Sequence, residues 1–265
     1  MRPEQNDIYY LCAPTREAAA MSPYLEAFEK EANLEVIFIY TAIDDFVMAN
    51  IGQYEGRNLV SVEKGDIDLS IFKKSKDDKK DKKDGDDDDD DSSDGDDDSD
   101  GKLDAAQAMD LCIWFRDTLG DKKVNSCLPS SRLVSSPAIV TDNESGAMRR
   151  MMRMVDTSDG TTRDSMPLPK QNVEINPSHP IVVGLYKLKD TEPVLARILA
   201  EQVYDNCLVA AGLLDDSRTM LPRLNDLLVS LVRGAQQQQA PEGDESDESK
   251  DEGKPNEDDG ETKQQ

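Results

Sequence analysis

The sequence predicts an α+β protein in which a small α/β layer is followed by a mixed α/β domain that ends in a helical hairpin. Two observations lead to this class. Short apolar runs of strand length alternate with segments of helical periodicity on both sides of an Asp-rich tract. Near the C-terminus, two longer segments keep the helical period and carry apolar residues over a wide face.

Two acidic segments divide the chain of 265 residues, whose formal net charge is −25. Residues 73–102 contain only Lys, Asp, Ser and Gly, and residues 235–265 carry 11 acids against 3 lysines. Because these segments hold almost no apolar side chains to offset the entropy of ordering, both are expected to be disordered. The predicted organisation is an α/β subdomain at 1–72, a linker at 73–102, a C-terminal domain at 103–234 and a tail at 235–265.

Charge, hydropathy and cysteine content exclude several classes of protein. A chain this acidic is not drawn to the phosphates of DNA or RNA, and no apolar run approaches the roughly 18 residues that a membrane helix needs. No targeting segment is visible at the N-terminus. A single histidine, His179, excludes zinc sites built on several histidines. The four cysteines are expected to be reduced and mostly buried: Cys12, Cys112, Cys127 and Cys207.

The first subdomain is predicted as helix, strand, helix, strand. Ser22 is a suitable N-cap for a helix that runs to about Ala32, with a proline at its first position. Residues 34–40 form a nearly continuous apolar run, typical of a strand covered on both faces. Residues 43–51 have the helical period, and residues 58–63 alternate as a strand does.

After the linker, residues 105–119 have the helical period and end at a glycine. The remaining predicted elements are strands at 124–134, 137–141 and 173–175, and helices at 181–189, 193–211 and 219–232. His179 stands at the entry of the first of these helices, where capping is expected rather than catalysis. Thr191 is expected to cap the second helix, and Gly234 to stop the third.

The last two helices carry more apolar surface than one hairpin can cover. In the third helix, apolar residues recur at the spacing of a coiled-coil seam, and the second is apolar on two sides. One alternative is a hairpin packed only on its own domain. The other is a four-helix bundle formed by two copies of the chain, and the seam favours it. The candidate interface residues are Ile198, Val203, Leu224, Leu227, Leu228 and Leu231.

A Met- and Arg-rich segment at 146–155 is amphipathic if it is helical, because methionines then share one face and arginines the other. Methionine is flexible and polarizable, and suits surfaces that bind many apolar partners. The alternative is that these methionines pack on the sheet. The candidate binding residues are Met148, Met151, Met152, Met154 and Val155.

No catalytic residue is predicted, because no acid–base pair, nucleophile constellation or glycine-rich phosphate loop is present. Asp96, Asp98 and Asp100 match the start of a calcium-binding loop, but the twelfth position is Gln107 instead of a bidentate Glu. This match is interpreted as chance within an Asp tract. No metal site and no cofactor are therefore predicted in the chain.

Six short motifs together resemble the heat-shock protein 90 chaperone family. They are Gln5-x-x-Ile-Tyr-Tyr10, Ser22-Pro-Tyr24, Ile43-Asp-Asp-Phe46, Leu59-Val-Ser-Val-Glu63, Val173-Glu-Ile-Asn-Pro-x-His179 and Ala210-Ala-Gly-Leu213. Each alone is weak, but their order and spacing follow the family through residues 1–234. The resemblance is strongest to the bacterial and mitochondrial branch, while the Asp-rich tract and the acidic tail depart from the pattern.

The resemblance implies that residues 1–64 are the end of the family's middle domain and residues 103–234 its C-terminal dimerisation domain. It further implies a homodimer that binds unfolded or partly folded client proteins, with ATP and Mg²⁺ used by the full-length family. The family's ATP-binding domain is expected upstream of this chain, so the chain itself is predicted not to be an enzyme. The family also carries an amphipathic client-contacting segment at the place of residues 146–155.

Two other functions stay open at this point. One is a short protein that dimerises with a full-length relative and regulates it, and the other is an acidic binder of basic proteins. Docking to tetratricopeptide-repeat co-chaperones is not predicted, because the chain ends Glu261-Thr-Lys-Gln-Gln265 and not with the family's cytosolic peptide. The family branch suggests a mitochondrial location, with the cytoplasm as the alternative.

Overall fold

The first part of the chain folds as a four-stranded sheet. The structure is a computed structural model that describes residues 5–30, 34–67, 101–142, 148–149, 151, 168–214 and 216–238. The strands of this sheet are β1 (Ile8–Cys12), β2 (Val36–Ile39), β3 (Gln53–Tyr54) and β4 (Arg57–Ser61). Their order is β2-β1-β4-β3. Strand β1 is parallel to both of its neighbours, β2 and β4, and β3 pairs with β4 as an antiparallel hairpin.

Short helices connect these strands, and their starts follow from the sequence. They are α1 (Arg16–Ala20), α2 (Glu26–Lys30) and α3 (Ala42–Ile51). The hydroxyl of Thr15 accepts a hydrogen bond from the amide of Ala18, and that of Thr41 from the amide of Asp44, so each threonine is an N-cap. In place of the helix predicted from Ser22, a 3₁₀ turn at Pro23–Leu25 precedes α2.

A second, three-stranded sheet lies in the later part of the chain. Its strands are β5 (Val124–Pro129), β6 (Ala138–Thr141) and β7 (Gln171–Ile175) in the order β5-β7-β6, with β7 parallel to β5 and antiparallel to β6. The helix α4 (Ala105–Leu119) precedes them. A capping box starts it: the amide of Gln107 donates to the carboxylate of Asp104 at 2.7 Å, and the amide of Asp104 donates back to the Gln107 side chain at 3.0 Å.

Three helices follow the second sheet: α5 (Pro180–Thr191), α6 (Pro193–Ala210) and α7 (Leu221–Gln238), the last preceded by a 3₁₀ turn at Ser217–Met220. Two predicted boundaries are wrong. Thr191 is the last residue of α5, and Glu192 takes the N-cap position of α6. Furthermore, α7 passes through Gly234, because the Ala and Gln residues that follow are good helix formers.

One hydrophobic core serves both sheets. Tyr9, Tyr24 and Val62 from the first part belong to the same buried cluster as Phe115 and Ile139 from the second. The predicted mixed α+β class is thus confirmed. The predicted segment boundaries stay a prediction. Of the two segments expected to be disordered, 73–102 and 235–265, residues 73–100 and 239–265 lie outside the described residues, while residues 235–238 are helical and belong to α7. One compact unit runs to Leu227, and the next begins at Leu228 within α7.

Candidate dimerisation surface

The helix α7 presents a row of large apolar side chains to solvent. Leu224, Leu228 and Leu231 are 41%, 52% and 69% exposed, at the three- and four-residue spacing that places them on one helix face. Leu221, Val229 and Val232 are also exposed. Single exposed apolar residues are ordinary, but a contiguous row on one face marks an interaction surface.

Part of the predicted seam of α7 is covered by the chain itself, and the rest is exposed to solvent. Met220 is buried at the start of the helix, and Leu227 is partly buried. Leu224 and Leu231, which belong to the same heptad pattern, are exposed. The chain therefore covers only one edge of the apolar stripe and leaves the other edge without a cover in the described part of the chain.

A charged cluster fixes the first turn of α7 to α6. The guanidinium of Arg223 donates to the carboxylate of Glu201 at 3.0 Å and to that of Asp205 in a shorter contact. Burial raises the pKa of the Asp205 carboxyl, and the charge of Arg223 acts in the opposite direction. Because a guanidinium offers several donors in a fixed plane, this pairing holds the first turn of α7 against α6.

The two candidate interface residues on α6 are less exposed to solvent than those on α7. Ile198 is partly buried. Val203 is 4% exposed and belongs to the core of its own chain. Sequence periodicity could not tell which apolar residues of α6 lie in the core and which are accessible, since α6 is apolar on two sides. Val203 therefore contributes to the stability of the domain rather than to its accessible surface.

Sequence reasoning missed the Arg223 cluster. Its signal is visible in retrospect, because Glu201 and Asp205 are four residues apart and share one face of α6. It also passed over Val194, which is largely exposed at the start of the same helix. Neither signal identifies a partner residue by itself, since the pairing joins residues 18 and 22 positions apart.

Only part of the Met/Arg segment can be placed. Met148 and Met151 are helical and partly buried, and Arg149 is buried. Met152, Met154 and Val155 lie outside the described residues, so the predicted client-binding face stays a prediction. Among the described residues, no group of three or more His, Cys, Asp or Glu side chains is arranged to hold a metal ion. None of the described helices is long and apolar enough to cross a membrane.

Comparison with known proteins gives consistent matches over most of the chain. The family model described as Hsp90 protein matches residues 1–261. The mitochondrial TNF receptor-associated protein 1 homolog of Dictyostelium discoideum is 36% identical over 234 residues, which are 88% of this chain and 29% of the relative. The mitochondrial heat shock protein 75 kDa of Rattus norvegicus is 36% identical, with 88% and 30% covered.

A bacterial relative matches over the same extent. The chaperone protein HtpG of Desulfitobacterium hafniense is 32% identical over 234 residues, which are 88% of this chain and 33% of the relative. The chain thus spans about a third of the length of the curated relatives it matches. The predicted resemblance to the bacterial and mitochondrial branch is confirmed.

The prediction that this chain is not an enzyme is corrected by these matches. It rested on the absence of phosphate-loop and acid–base motifs and on an ATP-binding domain expected elsewhere. The family model extends over residues 1–261, and one of the matched relatives carries the name of a chaperone protein. A match over nearly the whole chain outweighs the missing motifs, so the prediction is wrong.

Geometry and comparison agree on the assignment. The motif-bearing residues lie in one compact unit, and the matched relatives carry the names of chaperones and heat-shock proteins. With a family model over nearly its whole length, the chain belongs to the Hsp90 protein family.

Proposed function

We propose that this chain acts in a molecular chaperone of the heat-shock protein 90 type and joins two copies through α7. The exposed apolar face of α7 carries this proposal. Burying one Leu or Val side chain contributes about 1.5–3 kcal/mol at most. A face that includes Leu224, Leu228 and Leu231 therefore offers enough apolar surface for a stable helical interface. If it stayed exposed to water, the same face would favour aggregation.

A second copy of the chain, related by a two-fold axis, fits this surface better than an unrelated partner does. In a symmetric pair, α7 of each copy meets the same face of the other, so that one apolar stripe covers itself. The Arg223 cluster supports the arrangement because it holds the first turn of α7 to α6 before association. Two such helix pairs would form a four-helix bundle, in which apolar residues at a and d spacing fill the centre.

The dimer is tested by placing charges on the exposed stripe. The double variant Leu224→Asp/Leu231→Asp is compared with Asn225→Asp/Gln236→Glu, which adds the same charge at exposed polar positions of the same helix. Light scattering after size exclusion is expected to give twice 29.4 kDa for the wild type and the control variant, and 29.4 kDa for the leucine variant. A monomeric wild type at micromolar concentration contradicts the proposal.

We also propose that the Met/Arg segment contacts client proteins. Its support is the density of methionine at residues 148–154 and the chaperone names of the relatives. Replacing Met148, Met151, Met152 and Met154 by Gln is expected to weaken suppression of aggregation of a heat-denatured globular protein. The control is Met109→Gln, an exposed methionine on α4. Equal suppression by both variants contradicts this role.

For the place of action, a mitochondrial compartment is proposed, with the bacterial-type cytoplasm as the alternative. The names of two matched relatives carry the word mitochondrial, and the bacterial relative allows the alternative. Fractionation of cells with an antibody against residues 103–234 separates the two. Enrichment with a matrix marker supports the first, and enrichment in the cytosolic fraction overturns it.

A further inference from the structure

A cavity of about 400 Å³ lies where the first sheet meets the end of α6. One wall comes from the end of β1 and the loop into α1, and the opposite wall from the last residues of α6. Most of the lining is apolar, with Leu11, Ala13 and Met21 on the first wall and Val209 and Ala211 on the second. The polar lining residues are Cys12, Ser22 and Glu63.

Among the described residues that line the cavity, Glu63 is the only acidic or basic one. It directly follows Val62, whose amide donates to the carbonyl of Tyr10 at 3.0 Å. The carbonyl of Glu63 itself accepts from the amide of Asp142 at 3.2 Å. Both backbone contacts hold the residue at the junction, so its position in the wall is fixed by the fold rather than by a flexible loop.

The Glu63 carboxyl has no hydrogen-bond or ion-pair partner within the described residues. The groups with which it interacts electrostatically are Asp45 on α3, Tyr10 on β1 and Tyr24 in the 3₁₀ turn, none of which carries a positive charge. The guanidinium of Arg132 donates to the carbonyls of Val62 and Lys64, on either side of Glu63, but its carboxylate partner is Glu174. Buried or half-buried acids are normally paired. The Glu63 carboxyl, which lines a mostly apolar cavity and has no ion-pair partner among the described residues, is therefore free to pair with a ligand cation.

We propose that this cavity binds a small apolar molecule that carries one ammonium group, with the ammonium against Glu63 and the apolar body against the α6 wall. The volume falls within the range of small-molecule sites, about 300–1,000 Å³. Apolar walls with one convergent polar group are also the usual composition of such sites. The exposed side chains of Met21 and Val209 form an apolar rim past which such a molecule enters.

The protonation of Glu63 gives the site a second property. Burial first, and the neighbouring Asp45 second, raise the pKa of Glu63 to about 8. An ammonium ligand stabilises the carboxylate and must displace its proton below that value. Binding therefore strengthens with pH, by up to about tenfold per unit below the pKa, and levels off above it.

The test uses the full chain and two matched probes, n-hexylamine and n-hexanol, which differ in the charged group. Binding is measured by ligand-observed NMR, and occupancy of the cavity by the rate at which Cys12 is alkylated. Hexylamine is expected to bind at least tenfold more tightly than hexanol above the pKa of Glu63. It is also expected to slow the alkylation of Cys12, with an affinity that falls as the solution is acidified.

Two variants separate the cavity from the acidic surface. Glu63→Gln, a neutral near-isostere of the protonated acid, is expected to bind both probes equally and without pH dependence. Glu17→Gln, an exposed carboxylate on the neighbouring α1, is expected to behave as the wild type. The proposal is overturned if the wild type binds both probes equally, if Glu63→Gln keeps the preference for the amine, or if Cys12 is not protected.

Discussion

At the scale of single residues, Glu26 carries the densest set of contacts between the two parts of the core. Its carboxylate accepts from the amides of Val134 and Ser135 at 2.5 and 2.9 Å, and from the hydroxyls of Ser135 and Ser136 at 2.8 and 2.5 Å. Burial alone raises its pKa, but these donors outweigh burial and hold the pKa below the ordinary value.

Removing the Glu26 charge is expected to destabilise the chain in a pH-dependent way. Glu26→Gln loses charged hydrogen bonds and with them about 2 kcal/mol of unfolding free energy at neutral pH. Since the folded pKa is the lower one, this stabilisation is complete above the unfolded value of about 4.3 and disappears as pH falls through the folded value. Urea unfolding at several pH values measures it. Glu29→Gln, an exposed neighbour, serves as the control and should change little.

The four thiols are expected to differ sharply in reactivity. Cys12 is partly exposed, while Cys112, Cys127 and Cys207 are buried. A hydrogen bond with Cys112, and then burial, raise the pKa of the Cys127 thiol, and burial raises that of Cys207 to about 12. Because the thiolate is the reactive form, iodoacetamide at about pH 8 should modify one site in the native chain. Mass spectrometry that finds a buried thiol modified first would contradict this.

At the scale of elements, the start of α5 depends on one side chain. The Nδ1 atom of His179 accepts from the amide of Ile181 at 3.1 Å, so the expected capping role of His179 is confirmed. His179→Ala removes this acceptor and should lower the unfolding free energy by about 1 kcal/mol, whereas His179→Asn keeps an acceptor and should lower it less. Thermal melts of the two variants measure the difference. Equal losses would mean that packing, not capping, holds His179.

Local signals predicted the elements better than they predicted where the elements end. The helix at 105–119 is found as expected, because its capping and stop residues are local. The sequence does not predict β1, although this strand lies inside its sheet between β2 and β4, because its short run Ile8–Cys12 has no alternation to distinguish it. Gly234 was read as a stop, but glycine ends a helix only where the chain turns into a left-handed conformation, and here the helix continues.

At the scale of the molecule, the contacts that matter most join residues far apart in sequence. The hydroxyl of Tyr24 donates to the carbonyl of Val140 at 2.5 Å, across 116 positions. Arg132 reaches the carbonyl of Lys64 at 2.8 Å and the carboxylate of Glu174 at 3.0 Å. The hydrophobic periodicity of the sequence does not reveal contacts between side chains so far apart along the chain. For the same reason the sequence predicted the apolar stripe of α7 but not which edge of it the chain covers.

Association through α7 should also appear in the stability of the whole molecule. When the folded state is a dimer and the unfolded state is not, the midpoint temperature rises with protein concentration. We expect this rise for the wild type and its absence for Leu224→Asp/Leu231→Asp, measured by calorimetry over a hundredfold dilution series. A concentration-independent midpoint for the wild type would argue against a dimer coupled to folding.

The shared core has a mechanical consequence. Tyr9 and Phe115 belong to one buried cluster, and Glu26 and Arg132 join the same two regions, so neither region can unfold without breaking contacts of the other. Under tension we therefore expect residues 5–214 to unfold in one step rather than in two, because both regions share this core.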